Sequence, residues 1–175
     1  MKMWLSLMIQ NEIRPRLVRF QFTLEMEQAF TMPQYTGSML RGAFGHALKQ
    51  TSCMTDMPSC QSCPLQQSCH YTSIFEPLLK TGDRYASAPA PFIIETPFLP
   101  HECFIKVGEK IQFSMILFGH AIELFQSVIL AWQRAAYQGL GTQRARARLV
   151  LVEQENEHGY GTIFSEQGAF IKPLL

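Results

Sequence analysis

Residues 16–26 read Arg-Leu-Val-Arg-Phe-Gln-Phe-Thr-Leu-Glu-Met, and they alternate strictly. Val18, Phe20, Phe22, Leu24 and Met26 fall on one side. Leu17, Arg19, Gln21, Thr23 and Glu25 fall on the other, as a strand with one buried face requires. The next segments decide how that face is covered. Thr36 stands at a helix N-cap position. Residues 38–50 (SMLRGAFGHALKQ) then place Met39, Leu40, Ala43, Phe44, Ala47 and Leu48 on one helical face, with Ser38, Arg41, Gly42, Gly45 and Lys49 on the other. A short strand over 92–96 is bracketed by Pro89, Pro91, Pro97 and Pro100. Residues 109–117 (EKIQFSMIL) alternate again. Residues 120–137 carry Ile122, Phe125, Val128, Ile129, Trp132 and Ala136 at helical spacing, and 146–153 read as a further strand. Strand, helix, strand, strand, helix, strand predicts an α+β, ferredoxin-like βαββαβ sandwich, with two helices on one face of an antiparallel sheet. Residues 162–164 and 169–171 predict a terminal hairpin over 160–172.

The length of 175 residues suits one domain with a full core and is too short for two. Apolar residues at 47% and charged residues at 17% exclude a disordered tail. Fifteen Lys and Arg against 14 Asp and Glu leave a net charge of +1, so only the distribution of charge can point to a partner. No run approaches the roughly 20 apolar residues of a membrane helix. Residues 1–9 (MKMWLSLMI) are followed by no small-residue cleavage site. The reading is a cytoplasmic protein with no membrane partner.

Cys53, Cys60, Cys63 and Cys69 fall within 17 residues, and Cys103 stands apart in an apolar stretch. A tight cluster in an intracellular chain suggests a metal rather than a disulfide framework. Four converging thiolates bind one tetrahedral ion or one cubane cluster, and Cys60-x-x-Cys63 is a chelating turn stiffened by Pro58 and Pro64. The expectation is a structural zinc in an insertion over 52–72, with an iron–sulfur cluster as the alternative; four free thiols are the plain reading.

Gly139-Leu140-Gly141-Thr142-Gln143-Arg144-Ala145-Arg146-Ala147-Arg148 joins the second helix to the last predicted strand. Two glycines let backbone N–H groups approach a phosphate. Arginines at alternate positions of a strand project together and repel unless an anion lies between them, and a phosphodiester backbone supplies one. A helix C-cap followed by a charged strand edge accounts for the same residues. On the first helix, His46 borders the polar face near Lys49 and Arg41, with Gly42 and Gly45 offering close approach to the helix backbone. A histidine beside a cation suits RNA cleavage by the ribose 2′-OH. A histidine at the margin of a core helix is the plain alternative.

Taken together, Y-T-G-S-M-L-R-G-A-F-G-H-A-L-K, the cysteine cluster with C-P-L and F-E-P over 53–77, and G-L-G-T-Q-R-A-R-A-R-L-V-L-V-E resemble the CRISPR-associated endoribonuclease that processes precursor crRNA, a member of the RAMP superfamily. The resemblance implies a ferredoxin-like fold and a partner in CRISPR repeat RNA. It puts the family's glycine-rich loop on Gly139 and Gly141, with its basic continuation at Arg144, Arg146 and Arg148. Its general acid/base falls on His46, with Tyr35 and Lys49 as companions; Arg41, on the exposed side of the same helix, is a further candidate RNA ligand by its position. No cofactor is implied for catalysis. The family's second ferredoxin-like domain would begin where this sequence ends, at residues 171–175, and it is expected to be absent from the chain and supplied elsewhere. Two rivals stand beside this reading. One is a non-catalytic RAMP subunit working with other CRISPR-associated effector subunits. The other is a metal-stapled protein-interaction module with no RNA role.

Overall fold

The computed structural model describes residues 16–77, 88–168 and Leu174. The alternating stretch forms β1 (Leu17–Met26), at the centre of a five-stranded antiparallel sheet. Along the chain follow β2 (Phe30–Met32), α1 (Gly37–Ser52), a short α2 (His70–Ile74), β3 (Phe92–Glu95), β4 (Cys103–Ile105), β5 (Lys110–Phe118), α3 (Phe125–Gln138), β6 (Ala147–Asn156) and β7 (Gly159–Ser165). The large sheet runs β3-β5-β1-β6-β7. Its first four strands, with α1 and α3 as crossovers, have the βαββαβ order predicted above. Among the described residues no helix is long and apolar enough to cross a membrane.

Both helices pack on the face that carries Phe20, Phe22, Leu24 and Met26, all buried. Trp132 of α3 is fully buried at the centre, with its ring 4.5 Å from that of Phe113, 5.2 Å from Phe44 and 5.9 Å from Phe22. Its indole N–H donates to Met115 Sδ at 3.5 Å. Rings bury large apolar areas, and the indole keeps a partner for its one polar atom. The opposite face of the sheet is mixed, with Leu17 and Ile93 exposed on it, and Arg19 pairs there with Glu95 at 2.7 Å and reaches Glu155 at 3.6 Å.

The structure departs from the sequence reading in five places. Residues 120–137 are not one helix. Gly119, at φ +53°, turns the chain out of β5 into a 3-10 turn that buries Ala121 and Ile122, and α3 begins only at Phe125. β7 pairs with β6 in a hairpin around Glu157 and His158 that the sequence reading lacked, while the terminal hairpin expected over 160–172 has its second arm, 169–171, outside the described residues, where the segment 1–9 also lies. The stretch holding Cys103 is β4, which pairs with β2 in a separate two-stranded sheet and leaves Phe104 exposed. Thr36 occupies the N-cap, but its own backbone is helical and its side chain makes no capping bond; its Oγ1 is buried without a partner.

The fifth concerns Gly45, expected on the open side of α1. It is buried, because the Phe75 ring lies on it where a Cβ would stand. A Cβ on Gly42 meets nothing within 4 Å. The two glycines therefore predict opposite results. Gly42→Ala should raise unfolding stability by about 0.5–1 kcal/mol, the helix-propensity gain. Gly45→Ala should lower it by about 1–3 kcal/mol, since the ring must move in a packed core. Urea unfolding of both variants checks this, and equal stabilities would contradict the packing.

Candidate functional site

The loop after α3 is built by its glycines. Gly139 sits at φ +98°, ψ 145°, a conformation essentially confined to glycine, and a Cβ there would overlap the backbone carbonyl of Arg144. Leu140 and Ala145, both buried, exchange backbone bonds of 2.9 and 3.1 Å and pin the base of the loop. Gly141 at φ +67° and Arg144 at φ +49° complete the turn, closed by Arg144 N–H donating to the Gly141 carbonyl at 3.2 Å. Thr142, Gln143 and Arg144 are thereby held out into solvent. Gln143 Oε1 accepts the Thr31 N–H at 3.2 Å and ties the tip to β2.

His46 faces this loop. It lines a cavity of about 270 Å³ with Ala43, Gln50, Gln138, Gly139, Gly141 and Arg144. The Gln138 amide donates to Gln50 Oε1, so the Gln50 amide is left to donate to His46 Nε2, 3.0 Å away. That network orients the ring with Nε2 toward Gln50. Arg134 also donates to the Gln50 backbone carbonyl at 3.2 Å. A second hollow, about 680 Å³, shares Ala43, Gly139 and Gly141 with the first and is lined by Tyr35, Met39, Gly42, Glu102, Thr142 and Gln143. Tyr35 is exposed on its wall. The two hollows make one trough, with the loop glycines at its waist.

Other residues singled out in the sequence do not join this trough. Lys49, three residues after His46, lies with its ammonium 5.5 Å from the centre of the Tyr71 ring, on the cysteine side of α1. The Arg41 guanidinium stands 4.8 Å from the centres of both the Phe75 and Phe92 rings. Arg148 is held by carboxylates: Glu25 at 2.8 Å, Glu166 at 2.8 Å and Glu27 at 3.3 Å, with Glu166 and Glu25 raising its pKa. The regular track of three arginines is therefore corrected. Arg144 lies in a left-handed turn, β6 starts only at Ala147, and the charge of Arg148 is already matched. Among the described residues no carboxylate pairs with Arg144 or Arg146. Gln50 and Gln138 were missed. Gln50, four residues after His46, was within reach of helical spacing, whereas nothing local points to Gln138.

Cys53, Cys60, Cys63 and Cys69 are half-buried free thiols around a different cavity, about 440 Å³, bounded also by Lys49, Tyr71, Ser127 and Leu130. Cys53 ends α1, its N–H bonded to the Lys49 carbonyl at 2.8 Å. The amides of Thr55 and Asp56 pull the Cys53 thiol down, while burial pushes the Cys60 thiol up. Burial and the bond to Glu76 push the Tyr71 phenol up. Among the described residues no three His, Cys, Asp or Glu side chains stand in metal-holding positions as placed.

No curated protein matches the chain. Among solved structures, the chain is similar to the crystal structure of the Csm3–Csm4 subcomplex in the type III-A CRISPR–Cas interference complex, with a TM-score of 0.46 and 14% identity over 83% of this chain and 87% of that one. The AF_1859_N family, described as an N-terminal domain, matches residues 14–173, and with its strands, both long helices and the loop inside that match, the chain belongs to this family.

Proposed function

We propose that the protein binds RNA, CRISPR repeat RNA by the resemblance of its sequence, with the sugar–phosphate backbone laid across the trough between α1 and the loop at 139–144. One observation carries the reading: the loop glycines, Arg144 and His46, about a hundred residues apart in sequence, line one cavity. Unpaired guanidiniums beside an exposed turn suit a phosphate. His46 opens onto the same place, and in this reading it serves cleavage of the bound strand. The substrate's 2′-OH would attack the adjacent phosphorus and the 5′-oxygen would leave. His46 would carry a proton and Arg144 would face the phosphorane charge, leaving a 2′,3′-cyclic phosphate with no metal required. Tyr35 flanks the strand in the adjoining hollow. A second ferredoxin-like domain or other CRISPR-associated subunits would complete the RNA path. Lys49, Arg41 and Arg148 have no role in this version.

Binding of a labelled repeat RNA at several salt concentrations tests the proposal. Arg144→Ala with Arg146→Ala should weaken all RNA sequences alike and flatten the log–log salt slope by about 0.7 for each phosphate no longer neutralised, about 1.4 for the pair. Arg148→Ala should leave the slope unchanged, because its partners are carboxylates. A double variant that binds like wild type would overturn the trough. If it loses binding but wild type never cleaves, the reading becomes the non-catalytic subunit. For wild type in EDTA, a 2′-deoxy ribose before the scissile phosphate should abolish cleavage and leave affinity intact.

A further inference from the structure

No residue from Lys49 through His70 is buried. Ordering a chain costs about 1–2 kcal/mol per residue, and apolar burial usually offsets it; this stretch buries no side chain of its own. It is nonetheless turned tightly. Cys63 N–H bonds the Cys60 carbonyl at 3.2 Å, Gln66 N–H the Cys63 carbonyl at 3.0 Å and Ser68 N–H the Leu65 carbonyl at 3.1 Å. Ser59 caps the Cys60–Ser62 turn, and Asp56 is held at φ +49°. The four cysteines are half-buried together with Thr51, Ser52, Thr55, Met57 and Gln66, while Met54, Pro58, Gln61, Ser62, Pro64 and Leu65 are exposed.

We propose that Cys53, Cys60, Cys63 and Cys69 bind one Zn²⁺ ion and that this ion is the cross-link holding the segment against the domain. All four thiols line one hollow. The Thr55 hydroxyl stands 3.3 Å from Cys63 Sγ, and Cys69 Sγ lies 4.0 Å from the carbonyl of Ser52, the residue before Cys53. Closing the four to zinc–sulfur distances of about 2.3 Å takes side-chain rotation of part-buried thiols, and Cys60 and Cys69 would turn from the core they pack against toward the hollow. Four thiolates around Zn²⁺ carry two negative charges, and Lys49 stands on the wall of the hollow to face them. Cys53 terminates α1, so the ion would also anchor the helix that presents His46. With four protein ligands the ion has no open position for a water, and its role is structural.

The test measures metal content of the full chain purified without chelators, together with thiol alkylation. One zinc per chain is expected, with only Cys103 alkylated until a chelator exposes four further thiols. Cys103→Ser should keep the zinc. Cys63→Ser should lose it and lose hydrogen-exchange protection over residues 53–69. If that variant does not fold, cobalt substitution of the wild-type protein still reads the site: intense tetrahedral d–d and thiolate charge-transfer bands support it. Zinc at trace level with all five thiols reacting alike, or iron with acid-labile sulfide in its place, would overturn the assignment.

Discussion

His46→Ala is expected to slow single-turnover cleavage of a labelled repeat RNA by roughly 10²–10⁴-fold, the usual contribution of a positioned acid–base group, with RNA affinity little changed. The expectation follows from where the ring stands. It looks into the cavity that holds Arg144 and the loop glycines, and its Nε2 is bonded by Gln50, itself bonded by Gln138. Gln50→Ala leaves the imidazole in place but removes the group that orients it, so a smaller loss in rate is expected there, with no change in binding. Equal rates for wild type and His46→Ala would remove the histidine from the chemistry. Dependence on Mg²⁺ would do the same, because cleavage by the 2′-OH with a protein acid–base needs no metal.

The largest structural effect is expected at Gly139. Alanine there must hold a backbone conformation that costs about 1–3 kcal/mol for a residue with a side chain, and its Cβ must also displace the Arg144 carbonyl. Gly139→Ala should therefore lower unfolding stability by about 3 kcal/mol at pH 7, since both terms act together. RNA affinity should fall with it, because the turn that displays Arg144 cannot close. Gly141→Ala is the milder comparison. Its added methyl would meet Met39 Sδ and Phe30 Cε2 at 3.3 Å, a contact relieved by shifts of a few tenths of an ångström rather than by moving backbone, and a single left-handed alanine costs about 1–2 kcal/mol. Chemical denaturation of the two variants separates them. A Gly139→Ala protein as stable as wild type would mean that the loop does not adopt this turn.

Much of the architecture was legible because its causes are local. Alternation in 16–26 and 109–117 marks one buried face whatever lies across it, and the apolar spacing of residues 39–48 and 125–136 marks helices that must cover that face. The Gly-Leu-Gly stop is equally local, since a reversal needing positive φ selects glycine in the chain itself. Strands of three residues, β2 and β4, carry too little pattern to be seen, and they exist only because each pairs with the other. The charges were misjudged for the same reason. Arg148 looks like one member of a basic row until the β1–β6 register sets Glu25 beside it and β7 delivers the chain to Glu166. Lys49 looks like a partner of His46 until Tyr71 arrives under its ammonium. Gly45 looks open until Phe75 covers it. The sequence by itself determined which faces are apolar and where the chain must turn, because those follow from periodicity and backbone sterics. Which cations are already matched, and that His46 and Arg144 share a cavity, only the tertiary structure decided, because a charge or a site is defined by neighbours far away in the chain.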